Sequence, residues 1–311
     1  MGNMTFEKCL FLGASEYAKM NGLKPWPNRL QETGYRMQLI WVTDPHLNFV
    51  NHDVWDAWTN SLRLIAGNRL LITGDITEAD DLAWQLTRIQ QKLAMPIYFV
   101  LGNHDFYGSC VAKVREEMQQ LTATQPQLVY LSAGAVVPLE DGWVLVGDDG
   151  WADAGFGDAL ASRVRLNDFR LIGDYRGMDL SEDLEVMRTL AIQSADGMRQ
   201  SLADACQQSQ RILIATHVPP FREACWYQGK VTDDDWAPYF ASRVMGEVLL
   251  AFANLYPGHL FHVLCGHTHN AGTARIAPNL TIWTGGAEYG RPAIQDVLEL
   301  GELSECVGKI N

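Results

Sequence analysis

Five short apolar runs along the chain end in the same way. Leu39-Ile40-Trp41-Val42 leads through Thr43 into Asp44-Pro45-His46, and Leu70-Leu71-Ile72-Thr73 leads into Gly74-Asp75. Ile97-Tyr98-Phe99-Val100-Leu101 meets Gly102-Asn103-His104-Asp105, and Ile212-Leu213-Ile214-Ala215 meets Thr216-His217. His262-Val263-Leu264-Cys265 then runs into Gly266-His267-Thr268-His269. Continuous apolar runs of this length, bounded by Gly, Asp or Pro, predict strands buried on both faces. Five strands therefore carry Asp, His or Asn at their C-terminal ends.

Between the runs the apolar period changes to that of a helix. Leu82, Leu86, Ile89 and Leu93 keep one face until Pro96, and Val111, Val114, Met118 and Leu121 keep another. A longer helix is expected from Ser181 as N-cap, with Leu184, Met187, Ala191, Met198 and Leu202 on its buried face. Further strands are expected at 128–131, 136–139, 143–146 and 280–284, making about nine. Strands alternating with helices predict an α/β layered fold, and so many strands suit two stacked sheets flanked by helices. Residues 148–176 and 219–239 lack periodicity and read as loop insertions in a single domain spanning 37–311. Residues 1–36 read as an N-terminal extension, with Met37 as a candidate natural start.

Composition narrows the partners. The 311 residues are 47% hydrophobic, enough for a large core, and carry a formal net charge of −13. That charge disfavours long nucleic acid, whose nonspecific affinity comes from Lys and Arg neutralising phosphates. The six cysteines are scattered without a CxxC pair, and no stretch approaches the roughly 20 apolar residues of a membrane span. A reduced, cytoplasmic protein is expected, with Cys265 a small buried hydrophobe and the acidic run Asp233-Asp234-Asp235 a solvated surface.

The strand ends supply Asp44, His46, Asp75, Asn103, His217, His267 and His269, too many ligands for one four-coordinate ion. They suit two divalent ions sharing a bridging carboxylate, with manganese, iron or zinc compatible with the mixed donors. Paired ions activate water as hydroxide and clamp the oxygens of an in-line displacement, so the set predicts hydrolysis at phosphorus.

The series DPH, GDIT, GNHD, THVPP and GHTH, spread over residues 44–269, resembles the calcineurin-like metallophosphoesterase superfamily, and its bacterial phosphodiesterase-like branch in particular. The resemblance implies a four-layered αββα sandwich of two stacked mixed sheets flanked by helices. It also implies Asp44, His46 and His269 on a first ion, Asn103, His217 and His267 on a second, and Asp75 as the bridge. His104 would face the substrate as catalytic residue, oriented by the adjacent Asp105 or by Glu78. Substrate contacts are expected from Asn103, His104 and Arg222, with Arg291 a second candidate for phosphate and Trp226 or Tyr227 for a base. The expected function is hydrolysis of a small phosphodiester or nucleotide by a metal-activated hydroxide. A catalytically inactive protein-binding scaffold and a nuclease are the alternatives.

Overall fold

The computed structural model describes residues 38–65 and 69–303. The expectations for residues 1–36 and for Met37 lie outside the described residues. Strands are numbered β1 to β13 in chain order. One sheet holds β1 (Gln38–Val42), β2 (Arg69–Thr73), β3 (Ile97–Val100) and β4 (Leu128–Tyr130), parallel throughout, with β13 (Ile294–Glu299) antiparallel on β1. The other holds β6 (Trp143–Gly147), β7 (Arg211–Ala215), β10 (Leu260–Cys265) and β12 (Leu280–Thr284) in parallel. Its edges are antiparallel: β5 (Val137–Pro138) beside β6, and β11 (Gly272–Ala277) beside β12. The hairpin β8 (Trp226–Tyr227) and β9 (Lys230–Val231) stands apart.

Alternation along the parallel strands builds the layers. On the first sheet Leu39, Trp41, Leu71, Tyr98 and Val100 meet Trp143, Leu145, Leu213, Ala215 and Leu264 of the second, forming a core between the sheets. The intervening residues Ile40, Val42, Leu70, Ile72, Ile97 and Phe99 turn outward. They pack against α1 (His52–Leu64), α2 (Leu82–Leu93) and α3 (Val111–Thr124). Across the molecule Val144, Val146, Ile212, Ile214, Val263 and Cys265 pack against α4 (Leu180–Gln208) and α5 (Arg243–Leu255). The result is the expected α/β sandwich of two mixed sheets flanked by helices, its parallel strands buried on both faces.

Several elements depart from the sequence expectation. The helix expected with Ser181 as N-cap starts two residues earlier, because Asp179 is the N-cap: its carboxylate accepts from Ser181 N and Glu182 N, and Glu182 accepts in return from Asp179 N. This reciprocal capping box places Ser181 inside the first turn. Helices α1 and α5 and strands β11 and β13 were absent from the expectation. In α1 the buried stripe reduces to Trp55, Trp58, Thr59 and Leu62 in a polar background, and β11 and β13 each fully bury a single residue.

The stretch 148–176 holds the four-residue helix Asp168–Leu171, and it buries Trp151, Ala152, Ala159, Ile172 and Tyr175 in the core outside the first sheet. It is an integral wall. Arg163 and Arg222 pair with Asp235 and Asp234, and Asp233 accepts from the backbone of Asp235 and Trp236, so the acidic run is bonded as well as solvated. Cys265 is buried and free. No helix among the described residues is long and apolar enough to cross a membrane.

Candidate metal centre

The parallel strands of both sheets end at one place. Just beyond β1, β2 and β10, the residues Asp44, His46, Asp75, His267 and His269 all adopt left-handed backbone, with φ of 47°, 42°, 50°, 68° and 55°. They are five of the nine non-glycine residues with positive φ among the described residues. Such conformations cost roughly 1–2 kcal/mol each and persist where surrounding structure enforces them, most often at functional sites. Here the loops enforce one another. Asp44 N donates to Gly74 O at 3.1 Å, His46 N to Asp75 O at 3.0 Å and Gly266 N to His217 O at 2.9 Å. His267 N donates to Asp44 Oδ1 at 3.0 Å, and His104 N to Asp75 Oδ1 at 2.9 Å.

This framework gathers all seven residues expected to hold metal. Asp44, His46, Asp75 and His269 form one group and Asp75, His217 and His267 another, the candidate ligand atoms of each lying within 4.8 Å of one another. Asp75 belongs to both. Asn103 Oδ1 stands 3.2 Å from His217 Nε2, which adds the amide to the second group.

Hydrogen bonds fix the tautomers. His217 Nδ1 donates to Thr73 O at 2.9 Å, leaving Nε2 to face Asp75 Oδ1 at 3.4 Å. His267 Nε2 donates to Tyr239 O at 3.1 Å, so Nδ1 is left for the group. A second ring nitrogen bonded to a carbonyl is the usual support of a metal-ligating imidazole. His46 Nε2 and His269 Nε2 point at the same space, 3.0 Å apart, with Asp75 Oδ2 3.7 Å from the first and Asp44 Oδ1 3.5 Å from the second.

The electrostatics of these side chains are those of a site built for cations. Burial works to raise the Asp75 carboxyl, but His217, His104 and His46 around it hold it well below the usual carboxylate range. His217 is pushed up to about 10 against the effect of burial, by the charge of Asp75 and its hydrogen bond to that residue. His46 and His267 are lowered to about 4, mainly by burial, and stay neutral with lone pairs available. Buried anions beside neutral imidazoles, with mixed nitrogen and oxygen donors, fit two divalent transition ions.

His104 is part-buried at the rim, its side chain 16% exposed, with Nε2 4.0 Å from Asp75 Oδ2. Its ring stacks on Tyr107 at 4.3 Å between centroids. The two residues expected to orient it are engaged elsewhere. Asp105 accepts from Thr77 N and Gly102 N at 2.9 and 2.8 Å, which makes it a brace of the loop, and Glu78 accepts from Asn48 Nδ2 at 3.1 Å.

Asn103 and His104 stand in the cluster, and the two arginines expected near it have other partners. Arg222 bonds Asp234 and the Thr232 carbonyl, and Arg291 pairs with Glu288. Trp226 packs against Gly272 of β11. Tyr227 stacks with Trp236, which contacts Phe240, which in turn lies 4.6 Å from the His267 ring. Two residues the sequence reading missed stand nearer. The Tyr289 ring lies 4.5 Å from His46 and 5.0 Å from His269, and Asp168 accepts from Asn103. An aromatic inside the turn-rich stretch Gly285-Gly286-Ala287-Glu288-Tyr289-Gly290 was the available signal for the first.

Gly102 is required by close approach. A Cβ there would fall well inside contact distance of Asp75 Oδ1, with Asp75 N and the His217 ring close behind. Gly102→Ala is expected to destabilise the fold by about 1–3 kcal/mol, as overpacking does, and to cost bound metal. Thermal melting and elemental analysis read both, and a parental metal content would contradict the expectation.

The phosphopantetheinyl hydrolase of Mycobacterium tuberculosis shares the fold, with a TM-score of 0.61 at 13% identity over 83% of this chain and 92% of that one. A dimetal phosphatase from Danio rerio aligns with a TM-score of 0.49 at 14% identity, over 81% and 87% of the two chains. No curated protein matches the sequence. The calcineurin-like phosphoesterase family model matches residues 37–271, which include every residue of the two ligand groups. The chain therefore belongs to the calcineurin-like phosphoesterase family.

Proposed function

We propose that the chain is a phosphohydrolase of small esters, a phosphodiester or nucleotide, working with two divalent ions. The observation that carries the reading is the pair of ligand groups sharing Asp75. Two bound ions would supply a water acidic enough to attack phosphorus and positive charge for the phosphoryl oxygens. Asp44, His46, Asp75 and His269 would hold one, and Asp75, Asn103, His217 and His267 the other. His104 stands at the rim to protonate the departing oxygen or hold the phosphoryl oxygens. Asp105 keeps the loop carrying Asn103 and His104 in shape.

The surroundings favour an ester with a planar organic group. Tyr289 is 49% exposed and Phe49 54%, and their rings meet edge to face at 4.9 Å beside His46. Phe240, Trp236 and Tyr227 form a second aromatic series, leading away from His267. With Arg222 and Arg291 paired to carboxylates, stacking is the stronger source of recognition for the organic group, at roughly 1–3 kcal/mol per stacked base.

A panel of mono- and diesters with alkyl, aryl or nucleoside groups, assayed with manganese, iron and zinc, tests the reading. Diesters bearing a planar group should turn over fastest. Tyr289→Ala should raise KM for them about tenfold or more and leave alkyl esters unchanged. No hydrolysis of any ester with any ion would sink the enzyme reading. A preference for alkyl monoesters would sink the substrate assignment alone.

A further inference from the structure

Asp168 opens a four-residue helix in the stretch 148–176, far along the chain from every ligand, yet its side chain ends in the metal centre. It is buried, and its Oδ1 accepts from Asn103 Nδ2 at 2.9 Å and from Tyr107 Oη at 2.6 Å. Both donors bear on the centre. Asn103 turns its other amide atom, Oδ1, towards His217 Nε2 at 3.2 Å, and the Tyr107 ring stacks on His104 with 28° between planes.

A primary amide is nearly symmetric in shape, so sterics alone do not choose which end faces the centre. The choice matters because only the oxygen can ligate a cation; the NH2 end would present hydrogens to it. An acceptor fixed on the far side settles the orientation. The Tyr107 hydroxyl accepts from Asn103 Nδ2 as well, but at 3.4 Å against 2.9 Å, and it is itself held by donating to the same carboxylate oxygen, so Asp168 is the stronger acceptor and anchors the other.

We infer that Asp168 is a positioning residue: one oxygen holds Asn103 oxygen-first for the second ion and, through Tyr107, sets the plane of the His104 ring. The inference rests on the two-ion reading above. The stretch 148–176 is then part of the working centre, reaching it through a single side chain.

Calorimetric titration of metal-free protein with manganese tests it without an activity assay. In Asp168→Leu, which is close in size and offers no acceptor, one of the two bound ions should lose about ten- to a hundredfold in affinity, the usual effect of removing support from a ligand. The other ion should bind as in the parent. Asp168→Asn, which keeps an acceptor oxygen, should restore most of the loss. A merely structural role would lower both affinities together, and that result overturns the inference, as does parental binding at both sites by Asp168→Leu. Should Asp168→Leu fail to fold, Tyr107→Phe decides. Its metal affinities should be parental while kcat on an aryl diester falls severalfold at constant KM, and an unchanged kcat overturns the inference. If the parent itself binds fewer than two ions, the two-ion reading fails instead.

Discussion

Asp75→Asn should leave a folded chain with no measurable turnover and fewer than two bound ions. The side chain is 1% exposed and belongs to both ligand groups. Its Oδ1 faces His217 and accepts from the backbone of His104, while its Oδ2 faces His46 and the His104 ring. Asparagine matches its size but replaces one of those oxygens with an NH2 and removes the charge on which both cations and the raised basicity of His217 depend. A loss of about a thousandfold or more in kcat is expected, roughly 4 kcal/mol of barrier. Elemental analysis and calorimetry would report the metal, and a steady-state assay the rate. Two ions retained with a rate within tenfold of the parent would refute the bridge.

His104→Ala should separate catalysis from metal binding. The imidazole is at the rim, and the backbone amide that supports Asp75 survives the substitution. Both ions should remain, while kcat falls by about 10²–10⁴, the usual range for removing a general acid or base. The largest loss is expected on esters with poor leaving groups, which most need the proton. Parental activity would remove His104 from the chemistry; loss of metal would make it a ligand. A binding scaffold derived from this fold would show neither effect, having no turnover to lose.

The central strands and the cluster of side chains at their ends were legible because one physical rule wrote both. A strand buried on two faces reads as an unbroken apolar run, and the loop just beyond its C-terminal end is where polar chemistry can stand. Edge strands lack that signature: β13, with sequence IQDVLE, buries Leu298 alone and is supported by pairing with β1. Asp168 was not legible for a different reason. It lies 65 residues from Asn103, and no local pattern distinguishes an Asp that supports an amide from one that starts a turn. The partner of Arg222 was not legible either: a free guanidinium and one paired with Asp234 look alike in a sequence, and only the fold of 219–239 brings that carboxylate to it.

Each ligand group draws on both sheets. In the first, His269 follows β10 while Asp44, His46 and Asp75 follow β1 and β2; in the second, His217 and His267 follow β7 and β10 while Asp75 and Asn103 follow β2 and β3. The opening within each ligand group is therefore gauged by the apolar layer between the sheets. Trp41, Leu71 and Leu213 act as spacers whose thickness sets the reach across the seam. Such a layer packs as tightly as a crystal and transmits small volume changes. Trimming a methyl group deep in the sandwich would thus detune a catalyst that the trimmed residue never touches.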